Sequence, residues 1–127
     1  MALIRSKNTK PELIAFEGLR DRGVRFRSHY ENAPGRPDVA RPRKKLAIFI
    51  DGDFWHGREI ERVRQKHGSD SPWVRKLEIT MTRDLVQLEQ LEARGWAVLR
   101  VWASDLTRAS TRKGTLDAME AFLRSKD

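Results

Sequence analysis

The sequence predicts an α/β fold, a mixed central sheet flanked by helices, with its elements in the order α-β-β-β-α-β-α. Three observations carry this. Leu46-Ala47-Ile48-Phe49-Ile50 is the most apolar run of the chain and has the composition of a central strand buried on both faces. Ala97, Leu99 and Val101 alternate with Trp96, Val98 and Arg100, the two-residue period of another strand. Between the two, Leu77, Met81, Leu85, Leu88 and Leu91 form an apolar stripe at helical spacing.

The other elements follow along the chain. Thr9-Lys10-Pro11-Glu12 has the spacing of a capping box with proline in the first turn, so a helix begins there. Leu13, Phe16 and Leu19 continue it, and Gly23 suits its end. Val24 to Tyr30 reads as a strand. Glu31-Asn32-Ala33-Pro34-Gly35-Arg36-Pro37 is a turn-rich loop, and Asp38-Val39-Ala40 is short and extended. Arg41-Pro42-Arg43-Lys44-Lys45 turns the chain into the central strand. Asp51 to Pro72 has no clear period and reads as irregular or partly helical. From about Trp73 a long helix runs to Arg94, with Gly95 as its stop. A last helix from about Lys113 carries Leu116, Met119 and Phe122.

The chain has 127 residues, the size of a single domain spanning 1–127. Lys and Arg number 26 against 18 Asp and Glu, a net charge of +8, which favours polyanionic partners such as nucleic acid. There is no cysteine, which excludes disulfides and a cysteine-based zinc site. No apolar run approaches the ~18 residues of a spanning helix. The apolar stretch of Met1-Ala2-Leu3-Ile4 is too short for a signal peptide. A cytoplasmic protein with no membrane partner is expected.

The chemistry-bearing residues fall in two segments, Gly35-Arg36-Pro37-Asp38 and Ile48-Phe49-Ile50-Asp51-Gly52-Asp53-Phe54-Trp55-His56. Pro37 favours an extended approach to Asp38, and adjacent strands bring Asp38 to the acidic end of the central strand. Carboxylates converging at a strand end suit Mg²⁺, a hard cation that takes oxygen ligands, neutralises a phosphate and activates water. The layout looks like a nuclease core of the PD-(D/E)xK type, but Asp51-Gly52-Asp53 occupies the place of its lysine. His56 is then the best group to take a proton near neutral pH. Each residue also has a plainer reading. Asp38 suits a turn cap, Asp51-Gly52 a hairpin turn, Glu12 the capping box, and Asp84 an exposed helical position. Phe54 and Trp55 fit the core as well as a stack on bases. Arg36, Arg41, Arg43, Lys44 and Lys45, with Arg5, Lys7 and Lys10 before the first helix, suit either a solvated surface or phosphate contacts.

Together with Arg83-Asp84, Gly95-Trp96-Ala97-Val98-Leu99-Arg100-Val101-Trp102 and Arg5-Ser6-Lys7-Asn8-Thr9-Lys10-Pro11-Glu12, these segments resemble the very-short-patch-repair (Vsr) endonucleases over about residues 4 to 107. The resemblance implies a restriction-endonuclease-like fold and Mg²⁺-dependent nicking of double-stranded DNA by a monomer in a bacterial or phage-like, nucleoid-associated setting. Its best-known members cut beside T:G mismatches. It further implies Asp38 and the main-chain carbonyl of Ile50 as metal ligands, and His56 as the group that activates water. Glu12 and Asp84 are implied as supporting acids. Asp51 is counted with the catalytic residues, although it and Asp53 fit a second ion or the turn alike. Phe54 and Trp55 match intercalating aromatics, and Arg5, Lys7, Arg36 and Lys44 are expected on DNA. The pattern departs from well-studied members where those hold a structural zinc: Asp53 and Ser104 stand at cysteine positions, so no structural zinc is expected. Two rivals stay open: a homing, mobile-element or restriction-associated nuclease without mismatch preference, and a non-catalytic basic DNA-binding module.

Overall fold

The structure, a computed structural model, describes residues 9 to 53 and 60 to 125. Helix α1 (Lys10–Asp21) starts behind an extended Thr9 with Pro11 in its first turn. Its end is set by Gly23, whose φ of +75° continues no right-handed helix and whose N–H reaches Arg20 O at 2.9 Å. Ala15, Phe16 and Leu19 form its buried stripe.

The strand expected over Val24 to Tyr30 shortens to β1 (Arg27–Ser28), and its far end is set where His29 turns to a left-handed φ of +49°. Strands β2 (Val39–Arg41) and β3 (Leu46–Asp51) form an antiparallel hairpin through a 3₁₀ turn at Pro42–Lys44. Lys45, at φ +55°, brings the chain out of that turn. The stretch without a clear period contains helix α2 (Ile60–His67). Helix α3 (Pro72–Ala93) then leads to β4 (Ala97–Trp102), which lies parallel to β3. Helices α4 (Ala103–Thr107) and α5 (Ala109–Leu123) close the chain. α5 starts ahead of the expected Lys113, where Arg112 Nε donates to Leu106 O at 2.8 Å and fastens its first turn to α4.

The sheet order is β1-β2-β3-β4, a mixed sheet with helices on both faces, as the sequence predicted. Leu46, Ala47 and Ile48 have no exposed surface, which matches a strand covered on both faces. One face of the sheet (Val39, Leu46, Ile48, Val101) packs on α1, α4 and α5 through Phe16, Leu19, Leu106, Leu116, Met119 and Leu123. The other (Ala47, Phe49) packs on Leu91 of α3 and on Ala33. The expected α3 stripe is only partly buried: Leu77 and Leu91 are covered, but Leu85 is 60% exposed. α3 packs against both α2 and β4, and Leu85 lines an open cleft beside β4. No helix among the described residues is long and apolar enough to cross a membrane.

Candidate active site

Three elements meet at the end of the sheet where β2 begins and β3 finishes. α1 supplies Glu12, the turn after β1 supplies His29, and the approach to β2 supplies Asp38. One ligand atom from each of the three lies within 4.8 Å of the other two.

Asp38 is anchored by the ladder that it interrupts. The β2–β3 register pairs Val39 with Ile48, and continuing it sets Pro37 across from Ile50. Proline has no N–H to give, so the ladder stops there. The Ile50 N–H donates instead to Asp38 Oδ2 at 2.7 Å. In an extended strand the N–H and C=O of one residue leave the chain on the same side. The Ile50 carbonyl therefore also faces β2, opposite a residue with no donor for it. Asp38 Oδ1 is the oxygen on the His29 side, 4.0 Å from Nδ1.

Glu12 is only 7% exposed, and its two readings hold together. Its Oε1 accepts the Thr9 N–H at 3.3 Å, as a helix cap should, and also lies 3.5 Å from His29 Nε2. The cap fixes the carboxylate that faces the cluster. Burial pushes the Asp38 carboxyl up to about 7. The Ile50 N–H opposes that rise, Glu12 and Asp51 add to it, and Arg100 opposes it.

His29 is the member that the sequence reading missed. The available signal was its place: pairing β1 with β2 across the turn-rich loop sets His29 beside Asp38, and their backbones join at 3.0 Å (His29 N–H to Asp38 O). Its Nε2 is buried and makes no hydrogen bond among the described residues. Two carboxylates and an unsatisfied imidazole nitrogen form a donor set that a divalent cation fits, since the cation satisfies the nitrogen and offsets the clustered negative charge.

Asp51 and Asp84 form a second group, joined by a residue the sequence reading used only as part of a strand. Arg100 Nε donates to Asp51 Oδ2 at 2.8 Å, and its Nη2 lies 3.4 Å from Asp84 Oδ1. Its guanidinium also lies over the Phe49 ring at 4.4 Å. Asp51 is thus a buried, ion-paired strand end rather than a hairpin turn. Both acids border a cleft of about 280 Å³ between α3 and β4, whose apolar wall includes Met81, Leu85 and Leu88.

Asp53 accepts from the N–H of Ser104 at 3.2 Å and from its hydroxyl. The two residues expected at former cysteine positions therefore satisfy one another by hydrogen bonding. Arg36, at φ +51°, lies 3.5 Å from Glu31. Lys44 is not beside Asp38: the β2–β3 turn carries it, with Arg41 and Arg43, to the far end of the sheet. There it lines a groove with Arg25 and Arg27. The hairpin thus separates basic residues that are near neighbours of Asp38 in sequence. Phe54, Trp55, His56, Arg5 and Lys7 lie outside the described residues.

A mixed four-stranded sheet flanked by helices, with acids and a histidine gathered where its central strand ends, is compatible with the restriction-endonuclease-like class. Comparison with known proteins narrows this. Residues 1–62 match the family described as DNA mismatch endonuclease Vsr. A type II nicking enzyme of Neisseria meningitidis serogroup C is 37% identical over 84% of this chain and 73% of its own length. Another from Haemophilus parainfluenzae is 36% identical over 93% and 84%. The DNA mismatch endonuclease Vsr of Escherichia coli K12 is 29% identical over 80% and 65%. The chain belongs to the Vsr family of DNA endonucleases.

Proposed function

We propose that this protein nicks one strand of double-stranded DNA with Mg²⁺ at the Glu12–His29–Asp38 cluster, acting as a monomer, and that a T:G mismatch directs the cut. The observation that carries the reading is the two-sided use of Asp38. Oδ2 is tied to the Ile50 N–H, while Oδ1 faces the cluster beside an unsatisfied nitrogen.

Asp38 and the Ile50 carbonyl would hold the ion, with Glu12 in the same cluster. When bound, Mg²⁺ supplies neutralisation of the phosphate and a more acidic water. The chain's own residues do the rest. The Ile50 N–H keeps Asp38 from rotating, and the Thr9 N–H does the same for Glu12. Arg100 holds Asp51 and Asp84 in place and keeps their negative charge compensated near the scissile phosphate. His56, three residues after Asp53, takes the proton of the attacking water. Phe54 and Trp55 enter the base stack beside the mismatch, and Arg5, Lys7 and Arg36 neutralise backbone phosphates.

The test is cleavage of matched and T:G duplexes of one sequence, with Mg²⁺ and with EDTA. Faster nicking of the T:G duplex in Mg²⁺, and none in EDTA, is expected. Equal cutting of both duplexes favours a second reading, a restriction-associated nicking enzyme without mismatch preference. That reading is supported by the names of the relatives from N. meningitidis serogroup C and H. parainfluenzae, both type II nicking enzymes. Salt-dependent binding with no turnover in any divalent ion leaves only a DNA-binding module.

A further inference from the structure

His29 faces both carboxylates of the cluster. Its backbone sits at φ +49°, in the left-handed region that Arg36 and Lys45 also occupy and that histidine enters more readily than most residues. Past the end of the β1–β2 ladder at Ser28 and Val39, His29 N–H still reaches Asp38 O and Tyr30 N–H reaches Pro37 O, each at 3.0 Å. Two backbone hydrogen bonds therefore hold the turn beside Asp38. The ring edge packs on Phe16 with centroids 5.6 Å apart, and the side chain is 15% exposed.

The polar atoms of that ring are near acceptors without bonding to them. Nδ1 is 4.0 Å from Asp38 Oδ1, and Nε2 is 3.5 Å from Glu12 Oε1 with no hydrogen bond among the described residues. A histidine kept only for structure normally satisfies a buried nitrogen. Two donors bound to one ion at about 2.1 Å stand roughly 3.0 Å apart when cis and 4.2 Å when trans. An imidazole gives one nitrogen to an ion, and one ligand atom from each of Glu12, His29 and Asp38 lies within 4.8 Å of the other two, so small side-chain rotations bring the three into that range.

We propose that His29 is a nitrogen ligand of the bound cation and sets the site's preference among cations. This rests on the reading of the cluster as the metal site. Imidazole favours Mn²⁺ and Co²⁺ over Mg²⁺, which is held by oxygen. His29 thus makes the site bind Mn²⁺ more tightly than its carboxylates alone would, and adds little for Mg²⁺.

Mn²⁺ bound to the full chain without DNA gives a direct readout, because electron spin-echo spectroscopy detects a nitrogen bonded to the ion. A ¹⁴N coupling is expected in the parent and in His56→Ala, and is expected to vanish in His29→Gln. Mn²⁺ affinity, titrated by the signal of the free ion, should fall about tenfold or more in His29→Gln. Mg²⁺ affinity, measured by competition, should change by less than about threefold. Absence of ¹⁴N coupling in the parent, with Mn²⁺ affinity still lost in Asp38→Asn, overturns the role of His29 and leaves an all-oxygen site. Mn²⁺ affinity unchanged in Asp38→Asn overturns the metal-site reading itself.

Discussion

Replacing Asp38 with Asn is expected to stabilise the metal-free protein while removing its chemistry. Burial is the main cause of the rise in the Asp38 pKa from 3.8 to about 7. Between those values the folded state holds more of that proton than the unfolded chain does, so this group makes stability fall as pH rises through the window. Once Asp38 is fully ionised the penalty corresponds to about 4 kcal/mol, and below pH ~4 it is absent. The Asn amide has no charge to desolvate, and its oxygen can still accept the Ile50 N–H that Asp38 Oδ2 accepts at 2.7 Å. Urea denaturation of both proteins in EDTA, from about pH 4 to 8.5, isolates the term because the other titrating groups are common to both. The variant should gain on the parent as pH rises and level off above about pH 7, ahead by roughly 2–4 kcal/mol. Added Mg²⁺ or Mn²⁺ should narrow or reverse that lead, since the ion binds the folded parent and not the variant. Parallel stability curves across the range would show that Asp38 ionises without penalty, and would remove the electrostatic case for a cation there.

Other residues give sharper local tests. Arg100→Leu leaves Asp51 and Asp84 without their shared cation and should cost about 3 kcal/mol in urea denaturation. Asp53→Ala takes the acceptor from both Ser104 donors and should cost about 1–2 kcal/mol; elemental analysis of the parent should find no stoichiometric zinc. Gly35→Ala should lower stability by about 1 kcal/mol or more, because φ is +80° and a Cβ would lie 3.1 Å from Phe49 Cε1.

The parts of the fold that were legible in the sequence are those with long, regular burial. β3 has no choice of face, because a continuous apolar run needs cover on both sides, and it is the centre of the sheet. α3 was legible from its period, but burial of Leu85 was not, because period reports a face and not what covers it. β1 is shorter than the sequence suggests because nothing in Val24 to Tyr30 marks His29 as left-handed; its backbone bond to Asp38 is made across the turn-rich loop. The candidate site divides the same way. Asp38 stood out through Pro37, whose missing N–H has a direct physical consequence at Ile50. Glu12 was visible as a cap, and its second role needed the position of α1 over the sheet end. His29 and Arg100 act through partners far away in sequence, which no local pattern encodes. Lys44 is close to Asp38 in sequence, and the hairpin sends it to the other end of the sheet.

Single-turnover nicking of a T:G-containing plasmid in Mg²⁺ by Asp38→Asn, beside the parent, bears on the site as a whole. The variant should be at least as stable in EDTA, so a loss of activity could not be ascribed to unfolding. A rate reduced by roughly a thousandfold or more is expected, the scale on which removing a key catalytic interaction acts. Nicking within about tenfold of the parent would place the cutting chemistry away from Asp38 and contradict the assignment of this cluster.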